Sequence, residues 1–124
     1  MNKQLAKVTK ATLQIQECDI LMFYVFVDYE EGTSQGIGGG ICLDTYDKDK
    51  KKRVGTAYGC EMIRQCLTVF NVDDFSEMKG KYIWVIGEGE GFSFKPTGFQ
   101  SMAVDGKVKT FMFDEVYQEF KESN

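Results

Sequence analysis

The feature that most constrains this chain is a continuous apolar segment, ILMFYVFVDY, at residues 20–29. It is much shorter than the roughly 20 apolar residues that a membrane-spanning helix needs. Its β-branched and aromatic residues favour a strand. Because polar residues do not alternate with apolar ones, we expect a central strand that is covered on both faces or buried at a subunit contact. The chain must therefore build a sheet around this segment.

Two further strands are predicted beside it. Ala11, Leu13 and Ile15 alternate with polar residues, which predicts a half-buried strand over residues 11–16. The segment IGGGICLD at 37–44 predicts a third strand whose start is weakened by glycine. Residues 30–36 between them are expected to form a polar loop. Strands that follow one another this closely predict an antiparallel meander.

The middle of the chain predicts a helix over about residues 57–70. Thr56 is a favourable N-cap, and Asn71 is expected to end the helix. The charged segment YDKDKKKRV before it is expected to be a loop. The helix should bury one stripe of apolar side chains, formed by Tyr58, Met62, Ile63, Cys66, Leu67 and Phe70. Asp73 or Asp74 is then expected to cap a short helical turn that ends at Gly80.

The last third predicts strands, a hairpin and a final helix. KYIWVIG should form a strand, with Pro96 in a loop after the returning segment FSFK. Asp105-Gly106 lies between two alternating apolar segments, which is the preferred composition of a two-residue hairpin turn. Asp114 is expected to cap a closing helix. Together these elements predict one α+β domain over residues 1–124, with a mostly antiparallel sheet of about six strands and two or three helices.

Composition excludes several classes of function. The chain has no His and no C-x-x-C pair, so a zinc site and Ser-His or Cys-His nucleophile systems are not expected. We predict no catalytic residue, no metal and no cofactor. The formal net charge of −4 disfavours binding to long nucleic acid or to an anionic membrane. Cys60 and Cys66 are expected to be apolar core residues of a cytoplasmic protein.

One candidate phosphate site surrounds the start of the predicted helix. Arg53, Gly55, Thr56 and Arg64 lie at or near its N-terminus, where free N–H groups and the helix dipole favour an anion. A run of glycines at 38–40 and the basic segment KDKKKR precede them. Each feature has an alternative explanation: the glycines permit a bulge or tight packing, and the lysines belong to a solvated loop. Neither the Rossmann nor the Walker fingerprint is present.

Aromatic residues supply a candidate site for a base. Tyr82 alternates with the apolar residues of KYIWVIG, and Phe92 and Phe94 lie on the returning strand. Lys107 or Lys109 on the last hairpin is expected to provide the basic side of an adenine sandwich. The alternative is that these aromatic side chains belong to the core or to a subunit interface.

The order of three segments resembles a known protein family. GGGICLD, GCEMIRQCLTVFNV and FSEMKGKYIWV are similar to small phage and prophage proteins that defeat the bacterial Thoeris defence. The resemblance covers roughly residues 10–112, with G-G-x-x-L-D at Gly39–Asp44 and K-G-K at Lys79–Lys81. It implies an α+β protein that sequesters a cyclic ADP-ribose-type signal in the cytoplasm of the infected or lysogenic host. It also implies a homodimer, assembly into a hexamer, and a second site for cyclic oligonucleotides.

Three hypotheses about function follow. The first is a sponge that binds the cyclic nucleotide signal without degrading it. The second is an enzyme that degrades such a nucleotide, with Asp28, Asp44 or Glu61 as acid or base. The third is a phage interaction or assembly protein that meets another chain through its aromatic surface.

Overall fold

The computed structural model describes residues 1–16, 19–38 and 41–120. It has eight strands: β1 (Asn2–Ile15), β2 (Leu21–Tyr29), β3 (Ser34–Ile37), β4 (Asp44–Asp47), β5 (Lys52–Gly55), β6 (Tyr82–Glu88), β7 (Lys95–Gln100) and β8 (Thr110–Met112). The helices are α1 (Ala57–Phe70) and α2 (Phe113–Phe120), with short 3-10 helices at Phe75–Met78 and Gly91–Ser93. The predicted α+β class is confirmed.

A long first strand organises the main sheet. The six strands follow the order β3-β2-β1-β6-β7-β8, and every neighbouring pair is antiparallel. The first half of β1 pairs with β6 and most of its length pairs with β2, with a register shift between Val8 and Lys10. β1 therefore joins the early hairpin to the later strands. Strands β4 and β5 form a separate two-stranded sheet.

The core lies on one face of the main sheet. Alternate residues of β2, namely Phe23, Val25 and Val27, are buried there with the apolar side of α1. On the opposite face, Tyr24 and Phe26 stack at 5.5 Å, and none of the described helices packs over them. Coverage of β2 on both faces by elements of this chain was a wrong prediction. A subunit contact on the second face stays a prediction.

Helix α1 begins and ends as predicted. The Thr56 hydroxyl accepts a hydrogen bond from the N–H of Gly59 at 2.8 Å and donates one to the carbonyl of Leu43 at 2.8 Å. Asn71 adopts a left-handed conformation (φ 56°) that ends the helix. The apolar stripe is confirmed, with Met62, Cys66 and Phe70 buried. The short helix at 75–78 is capped by Asp74, as one of the two predicted alternatives.

The predicted loop at YDKDKKKRV is wrong, because this segment forms the β4–β5 hairpin. The carboxylate of Asp47 accepts hydrogen bonds from the N–H groups of Asp49 and Lys50 at 2.9 and 3.1 Å, which closes the turn. Asp47 and Lys52 are opposite each other in the register, which places unlike charges on neighbouring strands. Strand propensity does not predict this hairpin, because most of its residues are polar or charged.

Other boundaries also differ. The loop predicted over 30–36 contains β3 from Ser34, and the predicted strand at 37–44 is wrong because residues 41–43 are not in a strand. Gly39 and Gly40 of the predicted third strand lie outside the described residues. Pro96 belongs to β7, where it faces Gly87 beside a register shift that relieves the missing N–H. Asp114 is inside α2, and Cys60 is exposed.

Candidate functional site: a basic cavity at the end of α1

A cavity of about 650 Å³ lies between the C-terminal end of α1, the start of β6 and the hairpin at residues 101–109. Val69, Phe70 and Ile83 give it an apolar, buried wall. Met102, Val104 and Val108 contribute exposed apolar side chains on the hairpin side. The cavity is therefore open to solvent on one side and built against the core on the other.

The hairpin side of the cavity is held by backbone hydrogen bonds. Val104 and Lys107 exchange N–H to carbonyl bonds of 2.9 and 3.0 Å around the Asp105-Gly106 turn. Both turn residues have positive φ, 52° and 74°, as the predicted turn requires. Ser101 closes the base of the hairpin, because its N–H donates to the Lys109 carbonyl and its hydroxyl accepts from the Lys109 N–H, both at 2.8 Å. Lys107 and Lys109 are therefore presented from a defined turn.

The opposite side carries Tyr82 and Lys81. Tyr82 is 50% exposed at the start of β6, and the ammonium of Lys7 lies 5.9 Å from the centre of its ring. The backbone here is fixed, since Val8 donates to the Lys81 carbonyl and Gly80 donates to the Val8 carbonyl, both at 2.8 Å. Tyr82 and Lys81 thus complete the lining on the β6 side of the cavity.

The electrostatics of the cavity favour an anion. Its described lining contains Lys81, Lys107 and Lys109 and no carboxylate side chain. The C-terminal end of α1 contributes the negative end of a helix dipole, roughly half an elementary charge, which offsets only part of three ammonium groups. The lining also offers the polar side chains of Asn71 and Ser101. This arrangement can hold a ligand that combines negative charge with a flat apolar ring.

The structure brings together part of the predicted site. Tyr82, Lys107 and Lys109, chosen from the sequence to hold adenine, line the same cavity. Lys81 and Asn71 also line it and were not predicted as site residues. Lys81 belongs to the K-G-K motif noted above, so a search for cations next to the aromatic strand would have found it. Asn71 was recognised only as a helix end.

The predicted phosphate residues lie elsewhere. Arg53, Gly55 and Thr56 precede the first turn of α1, whereas the cavity contacts its last turn. A helix of 14 residues is about 21 Å long, so one small nucleotide cannot reach both ends within one chain. Arg64 is exposed in the middle of α1. The four residues predicted to hold phosphate therefore lie outside the cavity at the last turn of α1.

Arg53 has a partner within the chain. Its guanidinium donates to the carboxylate of Asp44 at 2.8 Å and to the Asp44 carbonyl at 3.3 Å. This hydrogen bond lowers the pKa of Asp44, against the raising effect of burial. The Thr56 hydroxyl is occupied by the cap described above. This end of α1 is consequently organised by contacts that support the β4–β5 hairpin.

Phe92 and Phe94 form a third location. Phe94 is buried in the core and meets Tyr29 edge to face at 6.1 Å, while Phe92 is fully exposed on the preceding 3-10 helix. Both line a cavity of about 150 Å³ that also contains Gln35. The Tyr29 hydroxyl donates to Gln35 at 2.6 Å, and burial followed by the charge of Glu31 raises the pKa of Tyr29 to about 12. Neither phenylalanine lines the basic cavity.

The candidate acids and bases of the enzyme hypothesis are separated from one another. Asp28 on β2 accepts a hydrogen bond from Ser34 at 2.6 Å, and Glu61 on α1 accepts one from Gln65 at 3.0 Å. Asp44 is paired with Arg53. None of these three carboxylates lines the basic cavity. Within the described ranges, no cluster of three or more His, Cys, Asp and Glu side chains is placed to hold a metal ion.

Comparison with known protein families, curated proteins and solved structures finds no match to this chain. Among the residues that the structure describes, no helix has the length and apolar character needed to cross a membrane.

Proposed function

We propose that this protein binds a cyclic ADP-ribose-type signal in the basic cavity and sequesters it without degrading it. It would act in the cytoplasm of an infected or lysogenic bacterium, where loss of the signal leaves the Thoeris effector inactive. One observation carries the proposal: Tyr82 and three lysines surround a cavity with an apolar wall. The resemblance to anti-Thoeris proteins supplies the identity of the signal.

The cavity suits a nucleotide in size and chemistry. Its volume of about 650 Å³ lies within the range of about 300–1,000 Å³ typical of small-molecule sites. The base is expected to lie against Tyr82 and the apolar wall. The pyrophosphate is expected to meet the ammonium groups of Lys107, Lys109 and Lys81, which act as point charges that bind phosphate without the fixed fork of arginine.

Sequestration sets a demand on affinity. A sponge must bind the signal more tightly than the receptor that reads it, so a dissociation constant of nanomolar order, about −12 kcal/mol, is expected. That affinity needs contacts to both the base and the phosphates, and a cavity formed before the ligand arrives. The hydrogen-bonded turn under Lys107 and Lys109 supports such pre-organisation.

The decisive experiment follows the fate of the ligand. Protein is mixed with the cyclic ADP-ribose signal, free ligand is removed, and the complex is denatured by heat and analysed by mass spectrometry. The proposal expects intact signal in an amount close to that of the binding sites. Opened ADP-ribose or smaller fragments would establish the enzyme hypothesis instead. No depletion of free signal would leave the interaction-protein hypothesis.

Substitutions locate the site. Lys107→Ala and Lys109→Ala should each weaken binding by about 1.5–3 kcal/mol, the range for hydrogen bonds to charged groups. Lys50→Ala is the matched control, because it removes the same charge from the exposed turn of the β4–β5 hairpin. Unchanged affinity in both cavity variants, measured by calorimetry, would show that the phosphates bind elsewhere.

A further inference from the structure

The face of the main sheet opposite the core carries a pattern of its own. We call it the outer face and define it by the outward residues of β1, β2 and β6. On β1 these include Lys3, Lys7 and Lys10, which are all exposed. The row they form follows the strand for roughly 20 Å, given a rise of about 3.3 Å per residue. A chain with a net charge of −4 thus concentrates positive charge along its central strand.

Aromatic side chains lie on both sides of this lysine row. On β6, Trp84 and Tyr82 lie under the ammonium groups of Lys3 and Lys7, at 4.8 and 5.9 Å from the ring centres. On β2, Tyr24 and Phe26 stack nearly parallel at an interplanar angle of 10°. In the register, Thr12 faces Tyr24 and Lys10 faces Phe26. Cations therefore alternate with flat rings across three neighbouring strands.

Among the residues that the structure describes, few negative charges oppose the row. Asp28 faces Lys7 across the β1–β2 register and accepts a hydrogen bond from Ser34, so part of its charge is engaged. Glu88 lies at the far end of β6, 4.0 Å from the N-terminal ammonium. The ammonium groups of Lys3 and Lys7 lie over rings, and that of Lys3 also donates a hydrogen bond of 3.1 Å to the side-chain oxygen of Gln100. The outer face remains net positive along its centre.

The charges of the outer face favour some binding partners over others. A second copy of the chain placed symmetrically on the outer face would bring its own lysine row close to this one. Burying ammonium groups without anionic partners is costly. A partner with regularly spaced negative charges and flat rings avoids that cost. Single-stranded nucleic acid has both, and proteins commonly bind it with basic surfaces on which aromatic side chains stack the bases.

We propose that the outer face binds a linear single-stranded nucleic acid. The lysines of β1 contact phosphates, and the rings of β2 and β6 stack on unpaired bases. When the nucleic acid binds, the ammonium groups of Lys3 and Lys7 move from the rings to the phosphates. The rings are then free to stack on bases. This surface is distinct from the nucleotide cavity, although Tyr82 borders both.

The test is a fluorescence anisotropy titration at low salt with a labelled oligothymidylate of about 15 nucleotides, within the range of known single-strand site sizes. Trp84 is the only tryptophan, so quenching of its emission reports stacking directly. The proposal expects saturable binding with quenching. It also expects a triple variant, Lys3→Ala, Lys7→Ala and Lys10→Ala, to reduce the salt slope of log K by about 2, since each phosphate contact in a single strand contributes about 0.7.

A second variant tests stacking without changing charge. Phe26→Leu keeps an apolar side chain over Gly36 but removes the flat ring, and should weaken binding roughly 5- to 100-fold. Thermal unfolding checks that it folds. The matched controls are Lys48→Ala with Lys50→Ala, and Lys107→Ala with Lys109→Ala. Both double variants should bind oligothymidylate as the wild type does. The cavity and the outer face are thus tested by different substitutions, and either proposal can fail without the other.

Three results would overturn the proposal. The first is absence of binding at low salt. The second is equal affinity of a duplex and a single strand, because a duplex offers no unpaired bases to stack. The third is a wild-type dimer in light scattering that the triple lysine variant or Phe26→Leu converts to monomer, because the outer face would then belong to a second copy of the chain.

Discussion

At the scale of single residues, Gly59 shows how close packing can override helix propensity. A Cβ atom built at this position would lie 1.7 Å from the carbonyl oxygen of Leu43. Alanine usually stabilises a helix relative to glycine by up to about 1 kcal/mol. Here the backbone of residue 43 occupies the space that a side chain needs. The first turn of α1 therefore packs directly on the segment that leads into β4.

We predict that Gly59→Ala destabilises the protein by about 1–3 kcal/mol, the usual cost of overpacking. Gly55→Ala is the matched control, because a Cβ atom there meets nothing within 4 Å. Urea denaturation of both variants measures the difference. Equal stability of Gly59→Ala and the wild type would mean that the segment around Leu43 can move away from α1.

The pair formed by Asp44 and Arg53 makes stability depend on pH. The hydrogen bond from Arg53 lowers the pKa of Asp44 below its ordinary value of 3.8. The folded state therefore binds the proton of Asp44 less readily than the unfolded state. The resulting stabilisation is complete above pH 3.8 and is lost as the pH falls through the lower folded pKa.

We predict that Asp44→Asn is less stable than the wild type near neutral pH and that the difference shrinks below pH 3.8. Urea denaturation at a series of pH values measures it. A double-mutant cycle with Arg53→Ala isolates the contribution of the pair. A difference that stays constant with pH would show that Asp44 acts through its shape alone.

Residue chemistry in the sequence identified some site residues better than others. Tyr82, Lys107 and Lys109 line one cavity because a β-strand and a tight hairpin, both predictable, border it. Phe92 and Phe94 are only two positions apart, yet one is exposed and the other buried. A 3-10 helix at 91–93 breaks the alternation expected of a strand, and no local sequence pattern predicts that helix.

At the scale of secondary structure, helix α1 was the most predictable element. Its N-cap, apolar stripe and C-terminal asparagine are all local signals. The strands β3, β4 and β5 are only four residues each and are mostly polar. Their formation depends on partners elsewhere, such as Val25 opposite Ile37. Similarly, β1 extends back to Asn2 because β6 pairs with it over a distance of some 80 residues in the sequence.

The N-cap of α1 allows a direct test at this scale. We predict that Thr56→Ala lowers the free energy of unfolding by about 1–2 kcal/mol, because it removes the hydrogen bond to the Gly59 N–H and the one to the Leu43 carbonyl. Thr56→Ser keeps the hydroxyl that makes both hydrogen bonds, so it should retain most of the stability. Chemical denaturation compares the three proteins. If Thr56→Ser were as unstable as Thr56→Ala, the methyl group rather than the hydroxyl would be responsible.

At the scale of the whole molecule, α1 separates two positively charged regions. Arg53 lies before its first turn, and the lysines of the basic cavity lie around its last turn. The sequence predicts the length of α1, but it does not show that the hairpin at 101–109 packs against the end of the helix opposite Arg53. The two ends of α1 are therefore alternative sites for the phosphates of the ligand, and an experiment can distinguish them.

Binding to the folded state alone raises stability, and this separates the two alternatives. At a ligand concentration a hundredfold above the dissociation constant, the gain is about 2.7 kcal/mol, which for a domain of this size corresponds to a rise in Tm of roughly 10 °C. We predict that the cyclic ADP-ribose signal produces such a rise in the wild type and in Arg53→Ala. Lys107→Ala combined with Lys109→Ala should abolish most of it, because these side chains neutralise the phosphates at the cavity end of α1.

Differential scanning fluorimetry measures the Tm of all three proteins with and without the signal. A repeat after prolonged incubation tests whether the signal is retained, because an enzyme would consume the signal and the rise in Tm would disappear. If the rise survives in the lysine variant and disappears in Arg53→Ala, the ligand contacts the N-terminal end of α1 rather than the basic cavity.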